Sequence, residues 1–308
     1  DIKAVERVLK SPFLTCGPDI PALEQKLCAI TGAKYAVVTS NCTAALHIAC
    51  IAAGIGPGDE VITTPITFAA SANCVLYCGG KPVFADIDPA TYAIDPACIE
   101  RCITPATKAV IPVHYTGQAV NHAAIAALCK KHHLILIEDA AHAIGTKYQG
   151  QPVGSLPGAD MTCFSFHPVK TVTSGEGGAV TTNDKALYQK LCLARSHGIT
   201  HDPEQMVHPS EEPGYYEMIS LGYNYRMTDF QAALLSSQFD KLTLFSERRK
   251  EIAARYNKAF QDVPGLILQK ENPDSDTTRH LFVLQLDTEI LSCTRKQFFD
   301  ALAAENIF

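Results

Sequence analysis

The chain reads as an α/β protein with a mostly parallel sheet covered by helices on both faces, and three features predict this. Short strand-like runs alternate with helix-like stretches over the first two thirds of the sequence. Short turns join them. Of the 308 residues, 47% are hydrophobic, enough to bury a large core.

Asp1-Ile-Lys-Ala-Val-Glu-Arg has the pattern of an amphipathic helix, not of a basic segment followed by an apolar one, so nothing here directs secretion. Tyr35-Ala-Val-Val is a short buried strand. The alanine-rich stretch Thr43 to Ala53 is a helix ended by Gly54 and Gly56-Pro57-Gly58. Four further strand-like runs follow: Glu60-Val-Ile-Thr-Thr, Lys81-Pro-Val-Phe-Ala, Lys108-Ala-Val-Ile-Pro-Val and Leu134-Ile-Leu-Ile-Glu. Helical stretches separate them at about 68–78, 95–102 and 121–132. Asp160-Met-Thr-Cys-Phe-Ser-Phe and Gly178-Ala-Val-Thr-Thr lie too close together for a helical crossover, which makes them antiparallel partners or distant neighbours. From Thr228 to Phe260 the pattern is helical, and Pro264-Gly265 then punctuates a shift to a shorter strand and helix. A boundary near 245 divides a large domain, 1–245, from the start of a smaller C-terminal α/β domain, 246–308.

Twenty-six basic against thirty-two acidic residues give a net charge of −6, without a Lys/Arg-rich run, so nucleic acid is not an expected partner. The most apolar stretch, Cys42 to Gly56, carries His47 and falls short of a membrane span. Twelve cysteines are scattered singly through the elements, with no C-x-x-C pair, which fits a reduced cytoplasmic setting. Asp139, His142 and His167 can be read as metal ligands, but no motif fixes their spacing and no metal is expected.

Open parallel sheets bind ligands beyond the carboxyl ends of their strands, so the residues after each strand carry the chemistry. After Val38 comes Thr39-Ser-Asn-Cys-Thr-Ala-Ala-Leu-His, a polar turn into a helix whose free N–H groups suit a phosphate; alone, it reads equally as a helix cap by Ser40 or Asn41. Leu134-Ile-Leu-Ile ends in Glu138-Asp139-Ala-Ala-His142, where Asp139 and His142 are expected on one side of a following helical turn. Ser165-Phe-His-Pro-Val-Lys170 places one lysine between an apolar strand and a glycine-rich turn, where partial burial would free a nucleophilic amine. An aldehyde cofactor such as pyridoxal phosphate needs such a lysine, a carboxylate for its pyridine nitrogen and a phosphate cup. Lys170, Asp139 and the Ser/Thr turn form that set.

Six motifs extend the pattern: Phe13-Leu-Thr-Cys-Gly-Pro, Gly58-Asp-Glu-Val-Ile-Thr-Thr-Pro-Ile-Thr-Phe, Glu138-Asp-Ala-Ala-His-Ala, Ser165-Phe-His-Pro-Val-Lys, Gly175-Glu-Gly-Gly and Gly222-Tyr-Asn-Tyr-Arg-Met-Thr-Asp. In this order they resemble the DegT/DnrJ/EryC1/StrS sugar aminotransferases, across almost the whole chain. The resemblance implies the fold type I of pyridoxal-phosphate-dependent transferases, which is aspartate-aminotransferase-like. It implies that Lys170 bonds the cofactor aldehyde and moves the proton, and that Asp139 keeps the pyridine nitrogen protonated. His142 falls where relatives often have Gln, near the phenolic oxygen, and Phe68 where an aromatic ring stacks on the pyridine. The phosphate is then held by amides around Cys42 and Thr43, by Ser165 and by Asn224 of a neighbouring subunit, which makes a homodimer with shared sites the expected state. Asn41-Cys42 stands where many members have Gly-Thr or Ser-Ala, a departure of little weight if backbone N–H groups do the binding. Phe13, Leu14 and Thr15 resemble the sugar-nucleotide entrance.

Arg195-Ser-His-Gly-Ile-Thr, Tyr215-Tyr216-Glu217 and Asn224-Tyr-Arg-Met-Thr-Asp most resemble the transaminases of pseudaminic acid synthesis, which use glutamate to aminate C4 of a UDP-linked 4-keto sugar. Amination at C3 of another keto sugar nucleotide is the alternative within the family. A NAD-dependent nucleotide-sugar dehydratase would show Gly-x-Gly-x-x-Gly after the first strand, and the Thr39 to Leu46 turn has no glycine. A non-catalytic relative of the same scaffold would be marked by loss of Lys170, which is present. Relatives usually begin before Asp1 and continue beyond Phe308 through a His-Tyr pair that contacts substrate, so the chain looks trimmed at both ends and its small domain incomplete.

Overall fold

The computed structural model describes residues 1–210 and 212–307. Seven strands form its main sheet: β1 Tyr35–Thr39, β2 Glu60–Thr63, β3 Lys81–Phe84, β4 Thr107–Ile111, β5 Ile135–Asp139, β6 Met161–Ser165 and β7 Gly178–Thr182. Their order across the sheet is β1-β7-β6-β5-β4-β2-β3. All neighbouring pairs are parallel except those of β7, which runs antiparallel to both β1 and β6. Of the two sequence alternatives for 160–166 and 178–182, direct antiparallel pairing is the one found. The glycine-rich return between them has no room for a crossover helix. Pro82, which cannot donate to a ladder, lies on β3 at the sheet edge, where the missing N–H costs least.

Helices α1 Ile2–Leu9, α2 Asp19–Thr31, α3 Cys42–Ala52, α4 Ala70–Tyr77, α5 Pro96–Cys102, α6 His122–His132 and α7 Lys185–Arg195 fill the connections. Apolar side chains alternate between the two faces of each strand and divide the core accordingly. On one face Val61, Ile111, Ile137 and Cys163 pack with α3, α4 and α7. On the other, Ile62, Val110 and Leu136 meet α5 and α6, and Ala36, Val38 and Phe164 meet α2. The sheet is therefore covered on both sides.

The helical pattern from Thr228 to Phe260 resolves into α8 Asp229–Phe239 and α9 Leu242–Phe260, broken at Asp240-Lys241. Thr228 and Gln231 form a capping box that starts α8. Beyond α9, strands Leu266–Leu268 and Leu284–Leu286 pair antiparallel, and helix α10 spans Arg295–Ala304. Between those strands the chain returns to the large sheet's surroundings: Ser275-Asp276 pairs with Lys147-Tyr148, and the His280 amide donates to the Thr116 carbonyl at 2.9 Å. This return brings a histidine from beyond residue 270 to the edge of the site described next.

All twelve cysteines are free thiols. Among the described residues no helix is long and apolar enough to cross a membrane, and no cluster of His, Cys, Asp and Glu is arranged to hold a metal ion.

Candidate active site

A cavity of about 280 Å³ opens at the carboxyl ends of β1, β5 and β6, and its walls include Cys42, Thr43, Phe68, Asp139, His142, Ser165 and Lys170. Residues far apart in sequence meet there because parallel strands bring their carboxyl ends to one side of the sheet.

The β1 to α3 turn builds the first wall. Asn41 is extended at the N-cap and its side chain accepts the Ala44 amide at 2.8 Å, so the capping function belongs to Asn41 and not to Ser40. That bond, with Ala45 bonded to the Asn41 carbonyl, leaves the Cys42 and Thr43 amides of the first turn without partners among the described residues. Two free N–H groups and the positive end of α3 therefore face the cavity, the arrangement that binds a phosphate. Gly178, which begins β7, lies directly behind. A β-carbon there would stand 2.5 Å from the Asn41 carbonyl atoms and 2.6 Å from the Cys42 nitrogen.

Asp139 ends β5 and is nearly fully buried. Its Oδ2 accepts the Ser71 hydroxyl at 2.7 Å and its Oδ1 accepts the Ala141 amide at 3.0 Å. Burial raises its pKa, and these two hydrogen bonds and the Lys170 charge oppose the rise. The expected helical turn after Asp139 is absent. Residues 140–146 instead form successive tight turns, in which the Ala143 amide bonds to Ala140 and the Thr146 amide to Ala143. The chain must turn here to reach the short strand at Lys147, and Asp139 spends Oδ1 on the turn's amide rather than on a helix.

His142 reaches the cavity from that turn. Its ring packs at a tilt of 42° against His280, with a centroid distance of 4.4 Å, and lies 5.9 Å from Tyr115, while its buried Nδ1 has no hydrogen-bond partner. Burial, and then the Lys170 charge, depress its pKa to about 3, so the ring is neutral near pH 7.

Lys170 closes the turn after β6, its amide bonded to the His167 carbonyl at 2.9 Å. The side chain is half-buried and lines the cavity opposite Asp139. Burial lowers its pKa, against the pull of Cys42 and Asp139, which increases the fraction of free amine at a given pH. Ser165 is buried at the end of β6. Phe68 is 76% exposed over the opening.

Four expected residues lie outside this cavity. Asn224 is exposed on the segment leading to α8, where its backbone pairs with Ser196. Phe13, Leu14 and Thr15 lie between α1 and α2, held to the start of α8: Thr15 pairs with Thr228, and the Asp229 amide donates to the Leu14 carbonyl at 3.0 Å. Within one chain the structure does not bring them to Lys170. Two participants were not singled out from sequence. Ser71, in the first turn of α4, is 68 positions from the carboxylate it serves, and His280 arrives by the return of the later chain; neither spacing carries a local signal.

A sheet-end lysine with depressed proton affinity, a buried carboxylate opposite it and a helix N-terminus with free amides define the site of a pyridoxal-phosphate-dependent enzyme. The orphaned His142 nitrogen and the two free amides fit that cofactor's oxygen atoms, and the half-buried amine fits its aldehyde. Comparison with known proteins gives the particular family. The DegT/DnrJ/EryC1/StrS aminotransferase family model matches residues 1–308, and the chain belongs to this family. It is 44% identical over 305 residues to the spore coat polysaccharide biosynthesis protein SpsC of Bacillus subtilis (strain 168), covering 99% of this chain and 78% of that one. Its structure matches Helicobacter pylori PseC, an aminotransferase involved in the biosynthesis of pseudoaminic acid, with a TM-score of 0.90 at 34% identity, over 99% of this chain and 79% of that one. S. venezuelae DesV matches with a TM-score of 0.89 at 32% identity, over 100% and 77%. The protein is a pyridoxal-phosphate-dependent sugar aminotransferase with the type I fold.

Proposed function

We propose that this aminotransferase moves the amino group of L-glutamate to the C4 keto group of a UDP-linked 4-keto-6-deoxy-N-acetylhexosamine, in a pathway of the pseudaminic acid type. The observation that carries the chemistry is the single cavity shared by Lys170, Asp139 and the free amides of α3. The choice of sugar is supported by the likeness to the Helicobacter pylori aminotransferase and by the motif Asn224-Tyr-Arg-Met-Thr-Asp.

Pyridoxal phosphate, when bound, supplies an aldehyde and a ring that accepts electrons. The chain's residues do the rest. Lys170 Nζ would hold the aldehyde, and its amine would take and return the proton at the substrate carbon. Asp139 is the carboxylate that keeps a proton on the pyridine nitrogen, and Ser71 holds it in line. The Cys42 and Thr43 amides and the Ser165 hydroxyl bind the phosphate. Neutral His142 would hold the phenolic oxygen, and Phe68 would cover the ring. Asn224, exposed and away from its own cavity, reaches the phosphate of a second copy in a homodimer, and Phe13, Leu14 and Thr15 line the sugar-nucleotide entrance. Residues 1–245 carry this cofactor site, 246–308 begin the small domain, and the enzyme works in the cytoplasm.

Incubation with pyridoxal phosphate, glutamate and the UDP-linked 4-keto sugar, followed by NMR of the product, tests the reading. An amine at C4 is the expected result. An amine at C3, or turnover of 3-keto sugars alone, overturns it and favours the alternative within the family. Mixing Asn224→Ala with Lys170→Ala protein tests the shared site: verified heterodimers should regain activity, since one of their two sites is intact.

A further inference from the structure

Behind Asp139, on the opposite face of β5, lies a buried cluster that the chemistry above does not use. Glu138 is completely buried. Strand alternation sends it away from the cavity and toward α6, on the side where Leu136 packs with Ile125 and Cys129. His122, the first residue of α6, places Nδ1 2.8 Å from Glu138 Oε1 and Nε2 2.9 Å from the Pro157 carbonyl oxygen. Thr162 on β6 donates its hydroxyl to Glu138 Oε2 at 2.9 Å. His114 Nε2 lies 3.3 Å from Oε1, while its Nδ1 accepts the Val120 amide at 3.2 Å.

The proton count follows from these partners. A peptide carbonyl only accepts, so His122 Nε2 must carry hydrogen. The Glu138 carboxyl is approached by His122, His114 and Thr162. Of these, His114 must carry its proton on Nε2, because an amide occupies Nδ1. The Thr162 hydroxyl donates to Oε2, and the His114 Nε2–H, which makes no hydrogen bond, stands 3.3 Å from Oε1 with its positive end toward the carboxyl; both favour the anion, which only accepts, so His122 Nδ1 carries hydrogen as well. A histidine with both nitrogens protonated is a cation. The groups facing it are Glu138 on β5, whose Oε1 it shares with His114 after β4, and the Tyr148 ring at 5.8 Å, together with the positive end of its own helix. The helix end and burial both disfavour the charge, and Glu138 outweighs them; its hydrogen bond and its charge raise the His122 pKa.

We propose that His122 is a buried imidazolium and a positioning residue for Asp139: it fixes the end of β5 and cancels the negative charge that Glu138 would otherwise hold behind the cofactor's carboxylate. The backbone makes the link short. Asp139 follows Glu138 directly, and its carbonyl accepts the His114 amide at 3.0 Å. An uncompensated carboxylate next door would favour the protonated form of Asp139, which cannot hold a proton on the pyridine nitrogen. The charge state of His122 stands by itself, whereas the coupling to catalysis rests on the role proposed for Asp139.

Histidine side-chain nitrogen NMR on the full chain, without cofactor, tests the first part. Two protonated ring nitrogens on His122 at pH 6.5, with its titration displaced upward from the ordinary histidine value, are expected. A neutral tautomer, or titration near the ordinary histidine value, overturns the proposal. The second part is read from the pH dependence of the bound cofactor's absorbance. His122→Gln should move the Asp139-linked midpoint up by about one unit, a tenfold change in proton affinity. His122→Gln combined with Glu138→Gln should restore it, because both charges are then gone. A mere packing role predicts no restoration, and either an unshifted single variant or an unrescued double variant overturns the coupling. Asp139→Asn separates the two readings: if it leaves the profile unchanged, the role of Asp139 fails and the charge state of His122 still stands on the NMR.

Discussion

Replacing Gly178 by alanine is the most direct physical test of the phosphate cradle. The added β-carbon would stand 2.5 Å from the carbonyl atoms of Asn41 and 2.6 Å from the amide nitrogen of Cys42. Restoring the 3.4 Å of ordinary contact requires the Asn41–Cys42 peptide to retreat by roughly 0.9 Å, and no flexible side-chain end is available to give way. That peptide is the start of α3, so its movement carries the two free amides with it. Overpacking of this kind costs about 1–3 kcal/mol of stability. A displacement near 1 Å in a binding constellation costs up to about a hundredfold, so pyridoxal phosphate affinity should fall by about ten- to a hundredfold. Fluorescence titration with the cofactor measures the loss, and thermal unfolding measures the stability term separately. Gly56→Ala is the control, because its added carbon meets nothing within 4 Å. If Gly178→Ala binds the cofactor as tightly as the parent, the amides of α3 do not form the phosphate site.

Other perturbations bear on the remaining walls. Borohydride trapping of pyridoxal phosphate on Lys170 should reach half its maximum below pH 10.5, because burial lowers the amine's proton affinity; a midpoint at or above that value in peptide mapping refutes it. Ser71→Ala removes a hydrogen bond to the buried Asp139 carboxylate and should raise that residue's pKa further, with cofactor affinity falling by about tenfold in the same titration. Acid unfolding should show His142 and His280, whose pKa values burial depresses to about 3 and about 4. Below pH 6.5 the unfolded chain protonates these rings and the folded chain does not, so stability falls as pH drops until the folded values are reached. The slope approaches about 1.4 kcal/mol per pH unit for each ring. His142→Gln and His280→Gln should each flatten that slope in urea titrations, and an unchanged slope contradicts their buried neutral state.

Much of the active site was legible in the sequence because its chemistry is carried by residues at strand ends, and strand ends are marked locally. Lys170 stood out between an apolar run and a glycine-rich turn, and Asp139 at the close of Leu134-Ile-Leu-Ile. The helix after β1 followed from residue type and period alone, and the choice of Asn41 over Ser40 as its cap came from the structure. The turn after Asp139 was misread as helical because Ala-Ala-His-Ala favours a helix by propensity, whereas the chain has to reverse there to reach Lys147. Ser71 and His280 could not be found by spacing, since each meets its partner through the order of strands or the return of a later segment.

The sequence by itself pointed to the class of fold and to Lys170, Asp139, His142 and the turn at Cys42 and Thr43, since period, turn chemistry and strand-end position are local properties of the chain; the family resemblance of its motifs added Phe68 and Ser165. Tertiary structure alone decided that β7 lies antiparallel between β1 and β6, that Gly178 backs the cradle, and that Glu138 turns from Asp139 toward His122. Those outcomes depend on contacts between residues 13 to 147 positions apart. Packing and charge compensation choose among such contacts, and neither is written in any one stretch of residues.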